Sequence, residues 1–357
     1  MKIDLLAGLR CQSAAMIRKR FVNRSTDWAR RLLLNMGLLI AFHGIFDNMP
    51  IHTGNQDPVK MSRMLVVVGL VLGFSFAVQA VTPNLICPPL RGSENPRLQA
   101  NLESRIKRLK LDAPVRRGQL AVALVDVTDP QHPSLAQVNG DEMMYAASLP
   151  KIAILLAAFE RIHEGRLELN DENRELMTKM IRYSSNSAAT ELIHRVGRNY
   201  INKLLASPKY RLYDERYNGG LWVGKEYAKG VAYKRDPLHN LSHGATAFQV
   251  ARFYYLLETG QLVSPALSRE MKQILGDPGI RHKFVKGLME TSPQAQIYRK
   301  SGSWRNWHAD SAIVEHAGRT YIAVALAQSP AGGKWLKDLI AELDTIILQQ
   351  PTAVAGL

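Results

Sequence analysis

Ser148 and Lys151 stand three residues apart in the run Ser148-Leu149-Pro150-Lys151. On a helix that spacing puts both on one face, so the Lys151 amine can reach the Ser148 hydroxyl. A neutral amine there would take the hydroxyl proton as the oxygen attacks a carbonyl carbon. Ile152 and Leu155 offer an apolar setting, and burial lowers a lysine pKa because it disfavours the charged form. Pro150 fits the first helical turn, where no backbone donor is lost. The pair by itself is weak evidence. Ser104-Arg105-Ile106-Lys107 has the same spacing and reads as a solvated helix face.

Order and company strengthen it. Ser184-Ser185-Asn186 comes next, and then Lys300-Ser301-Gly302, the only Lys-[Ser/Thr]-Gly in the chain. SxxK, SxN and K[ST]G in this order resemble the motif set of class A β-lactamases and penicillin-binding proteins. Residues 144–162, 183–197 and 298–314 resemble the segments around the three motifs, and residues 246–264 resemble the helix after that family's omega loop. The resemblance covers about residues 95–350.

It implies a serine hydrolase without metal or organic cofactor that opens a β-lactam amide through an acyl-enzyme on Ser148. Lys151 would be the base for acylation, or partner to it. Ser184 would relay a proton toward the leaving nitrogen, and Asn186 would hold the amide of the substrate side chain. Lys300 and Ser301, followed by Gly302 and Ser303, would form the carboxylate-binding strand, with Lys300 keeping Lys151 neutral by like-charge repulsion. The oxyanion hole would be the N–H groups of Ser148 and Ser303. The expected ligand is a β-lactam or a small peptidoglycan-derived substrate. A D-alanyl-D-alanine peptidase, or a penicillin-binding protein that deacylates slowly, is the alternative. A non-catalytic cell-wall-binding module is a third reading, disfavoured because mere binding does not require Ser148, Lys151, Ser184 and Lys300 together.

The sequence departs from the family in three places. Ser185 stands where the β-lactamase version of the second motif usually has an acid. The interval from Ser148 to Ser184 is short, as if a loop bordering the cleft were missing, and an opened cleft would suit a larger substrate. No Glu-x-x-x-Asn motif is in register for deacylation. The corresponding stretch, residues 210–230, carries Asp214 (with Asn218 four later), Glu215 and Glu226. Matching Arg211-Leu212 to the family's Arg-Leu brings Glu215 within about a residue of the deacylating position, so Glu215 is the expected base there. Gly219-Gly220-Leu221-Trp222 and Trp304-Arg305-Asn306-Trp307 are candidates to line the cleft or simply to pack.

These residues need elements to carry them. Leu98, Leu102, Ile106 and Leu109 fall at helical spacing. Residues 118–127 and 135–138 read as strands, and an apolar helix starts near Ser148 and ends by Gly165. Further helices are expected at 173–182, 188–196, 247–259 and 334–348, and strands at 296–300, 311–316 and 320–327. Short links between the late strands imply antiparallel pairing. The expected fold is α+β: a five-stranded antiparallel sheet flanked by the N- and C-terminal helices, with an all-helical lobe inserted between strands two and three.

The chain has 357 residues, 46 Lys and Arg against 31 Asp and Glu, and a formal charge of +15. No basic block with interleaved aromatics accompanies that charge, so a nucleic-acid partner is not expected and an anionic envelope surface is. Of two cysteines, Cys11 lies in the leader and Cys87 outside it, so no internal disulfide is expected once the leader is gone. Residues 61–80 have the form of a secretory signal: Arg63, an apolar run from Met64 to Val78, and Val78-Gln79-Ala80 as a cleavage pattern. Residues 1–60 read as a leader of doubtful authenticity, with Met61 the true start; the alternative is an anchor at 32–46. Residues 81–94 read as a linker, 95–350 as the hydrolase domain and 351–357 as a tail. The expected protein is exported, periplasmic or extracytoplasmic, and monomeric, touching the membrane only through signal or anchor. N-terminal sequencing of the exported protein is expected to begin at Val81. A product retaining residues before 61 would favour the anchor.

Overall fold

The computed structural model describes residues 87–350; the expected signal, leader and tail lie outside them. Helix α1 (Pro96–Arg108) starts where Asn95 accepts from the N–H groups of Arg97 and Leu98, each at 3.0 Å, with Pro96 in the first turn. It buries Leu98, Leu102 and Ile106, the face expected from their spacing. A short helix α2 (Asp112–Arg116) leads into strands β1 (Leu120–Asp126) and β2 (Ser134–Val138). Within the stretch expected as a linker, Leu90 is buried and Glu94 bridges to Leu135. Arg91 makes a two-pronged pair with Asp141 there, at 2.7 and 3.1 Å.

Strands β8 (Gln296–Trp304), β9 (Trp307–His316) and β10 (Arg319–Gln328) complete a five-stranded sheet in the order β2-β1-β10-β9-β8, antiparallel throughout. Alternation sorts its side chains. Leu120, Val122 and Leu124 face a layer made with α1 and the C-terminal helix α10 (Gly332–Leu348), through Leu98, Leu102, Leu339 and Leu343. Ala121, Ala123 and Val125 face the opposite core. The first and last strands of the chain therefore close the middle, and β8 is left as the edge facing the inserted lobe.

Between β2 and β8 the chain builds that lobe. A two-residue strand β3 (Met144–Tyr145) precedes α3 (Lys151–His163), which is buried all round from Lys151 to Glu160. Only a helix at the centre of a lobe has no polar face to spare. Around it come α4 (Asp171–Arg182), α5 (Asn186–Val196) and α6 (Arg198–Leu205), and then short strands β4 (Tyr213–Asp214), β5 (Gly219–Gly220), β6 (Trp222–Val223) and β7 (His243–Ala245). Helices α7 (Ala247–Glu258), α8 (Pro265–Leu275) and α9 (Phe284–Thr291) return the chain to the sheet. The fold is the expected α+β arrangement.

Several elements differ from expectation. Helices α6, α8 and α9 were not expected, and β9 begins at Trp307 rather than Ser311. Polar residues such as His308 and Asp310 mask the strand: this end is paired on both sides, with β8 and β10, and Asp310 is buried there as a charge held by Arg299. Leu124 is fully buried in the α1–α10 layer. Leu124→Ala is expected to lower stability by about 2–5 kcal/mol, read by denaturant unfolding, with little change in the opposite core.

Candidate active site

Ser148 lies in the turn that leads into α3, where Lys151 N donates to Ser148 O at 3.3 Å and Ile152 N to Leu149 O at 3.2 Å. The preceding residue, Ala147, has φ +50°, and so an unfavourable left-handed backbone stands beside the serine. Tyr227 donates its hydroxyl to Ala147 O at 3.2 Å and holds that conformation from the lobe side.

Lys151 is fully buried. Its Nζ is bonded to Ser184 O at 2.6 Å and Asn186 Oδ1 at 2.8 Å, and lies 3.3 Å from Ser184 Oγ. Among the described residues it makes no hydrogen bond to Ser148, so the amine is presented through Ser184 and Asn186. Burial pushes Lys151 down to about 7. As a neutral amine it has two N–H groups for the two oxygens at 2.6 and 2.8 Å and a lone pair left for a hydroxyl proton. The Tyr227 ring covers it, with Nζ 4.5 Å from the ring centroid.

Ser184 has φ +57° at the end of α4, a second left-handed residue at the site. Lys300, on β8, reaches its Oγ at 3.0 Å and is lowered well below the ordinary lysine value, by burial first and by the Lys151 charge second. Burial is the leading cause for both amines, and the repulsion between them is mutual, so each disfavours the charged form of the other. Ser185 explains the missing acid of the second motif. Its hydroxyl caps α5 by accepting from Ala188 N at 3.2 Å.

Gly302 is glycine because of a close approach. A Cβ there would lie 2.2 Å from Ala146 O and 2.8 Å from the amide nitrogens of Ser148 and Leu149. The β8 edge thus lies directly against the serine turn. Ser301 is buried beside it, and Ser303 opens onto a cleft of about 780 Å³. Ser148, Asn186, Tyr145, Tyr227, His243 and Trp307 also line that cleft, with Lys225, Lys229 and Arg305 among its cations.

The acids do not gather as expected. Glu215 is exposed on a turn of 3-10 helix and is not among the cleft-lining residues. Its neighbour Asp214 turns its carboxylate to Arg216 at 2.7 Å, and Asn218 bonds Asp141 O and His239. Glu226 does line the cleft, yet its carboxylate is bonded to His194 at 2.7 Å and to Arg198. His194 and Arg198 hold it below the usual carboxylate range. The physical reason lies in the loop: buried Asp236 accepts from Tyr213 OH and from the N–H groups of Leu238, His239 and Leu241. That knot draws Tyr213 inward and leaves Glu215 outside. Trp222 is buried, bonded to Lys234 O at 2.9 Å, and so packs rather than lining the cleft, whereas Trp304 is 56% exposed at its rim.

Three residues had no motif to announce them. Tyr227 stacks on His243 with centroids 4.3 Å apart and planes 6° from parallel. Burial first, then the Lys225 and Lys151 charges, push His243 down to about 3. Lys283 is buried beneath Gly302 and Ser303.

The model of a β-lactamase enzyme family matches residues 101–174 and 172–350. The chain belongs to that family. A β-lactamase from Sphaerobacter thermophilus is similar in fold, with 18% identity and a TM-score of 0.56 over 71% of this chain and 99% of that one. PBP-A is similar at 17% identity and 0.54, over 74% and 100%. A PBP-A mutant solved as its acyl-enzyme complex with penicillin G is similar at 18% and 0.56, over 74% and 100%. No curated protein sequence matches. The structures share the β-lactamase fold, and the family supports a serine hydrolase of the β-lactamase and penicillin-binding kind.

The burial of Lys151 has a direct readout. Its amine, tracked by NMR after selective isotope labelling, is expected to titrate near 7; a midpoint near 10.5, the unperturbed value, would mean that water reaches it.

Proposed function

We propose that this protein is an exported hydrolase that is acylated on Ser148 by β-lactams and by acyl-D-alanyl peptides, and releases the acyl group slowly. One observation carries the reading: two buried amines, one of them near neutrality at pH 7, meet at the Ser184 hydroxyl beside the serine turn. In the acylation step, the Ser148 proton passes to Lys151 while Oγ bonds the amide carbon. The C–N bond then breaks, and the leaving nitrogen takes a proton through Ser184. Lys300 and Ser301 hold the substrate carboxylate, and Asn186 keeps its amide nitrogen for the substrate's side-chain carbonyl.

Slow release is favoured over fast β-lactam hydrolysis by the placement of the acids. Glu226, the carboxylate in the cleft lining, is already paired, and the Tyr227 ring lies over the Lys151 amine. A base must come within hydrogen-bond reach of that water, and Glu215 faces solvent instead.

Intact mass recorded over time after mixing with benzylpenicillin tests the reading. An adduct mapped to Ser148 is expected, absent in Ser148→Ala and lasting far longer than the acylation phase, with Glu215→Gln unchanged. Rapid return to the unmodified mass with opened penicillin accumulating would make the protein a β-lactamase instead. No adduct with any β-lactam or acyl-D-alanyl peptide would overturn the assignment.

A further inference from the structure

Lys283 precedes α9 with φ +51° and ψ −117°, a costly backbone for a lysine. An ion pair behind the sheet helps to hold it. Arg299 of β8 grips Asp310 of β9 with two bonds of 2.7 Å and also bonds Ile280 O, at 2.7 Å. Asp310 in turn accepts from Phe284 N at 3.1 Å. The loop before α9 is thereby pinned to the strands, and the Lys283 side chain runs beneath them. Its Nζ bonds Gly302 O at 2.6 Å, Ser303 Oγ at 2.8 Å and Ala309 O at 3.1 Å. Three acceptors match the three donors of an ammonium group. The side chain therefore has no donor left for a substrate, and whatever it does must pass through the groups it holds.

The first of those groups is decisive. Gly302 C=O and Ser303 N–H belong to one peptide unit, which is planar and trans, so the two point in opposite directions. Lys283 and Ala309 lie on the oxygen's side. The opposite side of β8 is its free edge, and the serine turn lies close by, with Ser148 N 2.8 Å from where a Cβ of Gly302 would stand. Fixing the carbonyl inward fixes Ser303 N–H outward, on the free edge of β8, and Ser303 and Ser148 line the same cleft. A cation on the carbonyl oxygen also draws electron density from the peptide and makes its N–H a stronger donor.

We infer that Lys283 is a positioning residue for acyl transfer: it orients and polarises the Gly302–Ser303 peptide so that Ser303 N–H, together with Ser148 N–H, receives the developing oxyanion. This role rests on acylation of Ser148. It adds a group that none of the three motifs contains, and assigns the ammonium to a task that a neutral side chain of similar length cannot perform.

The test is the carbonyl stretch of the acyl-enzyme, recorded by infrared difference spectroscopy with penicillin labelled at the β-lactam carbonyl. Mass spectrometry first confirms the Ser148 adduct in the unmodified protein; without one, the acylation reading itself fails and the inference falls with it. In Lys283→Met the band is expected to move to higher wavenumber as hydrogen bonding to the carbonyl weakens. The acylation rate constant should fall about tenfold or more, with initial binding of penicillin little changed. Lys283→Gln, which retains N–H donors without the charge, should lie between the two, and it serves if the methionine variant does not fold. A thermal melt monitors folding separately. A folded variant whose carbonyl band and acylation rate match the unmodified protein would overturn the inference and leave Lys283 a strut between α9 and β8.

Discussion

The Ser184 hydroxyl stands between two lysine amines, 3.3 Å from Lys151 and 3.0 Å from Lys300, in a place from which water is largely excluded. Sharing that hydroxyl keeps the amines no more than about 6 Å apart, where two positive charges repel by about 3 kcal/mol or more at an effective dielectric of about 20, and desolvation of each adds to that cost. The pair cannot comfortably carry two full charges. This frustration favours a neutral amine, able to accept a proton, close to the serine turn. It also dictates architecture. Lys151 comes from the central helix of the lobe, Ser184 and Asn186 from the junction of α4 and α5, and Lys300 from the edge of the sheet. Lobe and sheet must therefore be held together against the repulsion.

The seam that holds them is made of close backbone contacts. Gly302 lets β8 lie on the serine turn, Tyr227 ties Ala147 from the other side, and α7 packs the lobe onto the sheet, where Tyr254 donates to Ser311 O at 3.2 Å. Ala147 and Ser184 keep left-handed backbones on either side of the reacting centre. Such conformations persist only where their surroundings over-determine them. The same seam brings the Gly302–Ser303 peptide under the control of Lys283, which itself depends on the Arg299–Asp310 pair. A buried pair of this kind does more for geometry than for net stability, given the desolvation it costs.

The loop between α6 and α7 builds one wall of the cleft beside the serine turn. Its organising centre is the Asp236 carboxylate, which collects a phenol and three backbone N–H groups. Around that knot Tyr213 and Trp222 turn inward, Glu226 is claimed by Arg198 and His194, and Tyr227 and His243 form an aromatic wall beside Lys151. Lys225, Lys229 and Arg305 make the approach to the cleft cationic, which raises the local concentration of anionic substrates.

Much of this was legible in the sequence. Helical spacing identified the buried face of α1, short strand-like runs identified the strands at both ends, and Ser148, Lys151, Ser184, Asn186 and Lys300 announced themselves as three short motifs in order. These signals survive in one dimension because each depends on residues within a turn or a strand of one another. The deacylating acid could not be read in the same way. Glu215 suited the register, but its direction is set by Asp236, twenty-one residues further on, through bonds that no local pattern encodes. Lys283 was equally silent, since a lysine before a helix is ordinarily a solvated charge. Only the tertiary structure brings its amine under Gly302, because the Arg299–Asp310 pair and the pairing of β8 with β9 decide where that loop must pass.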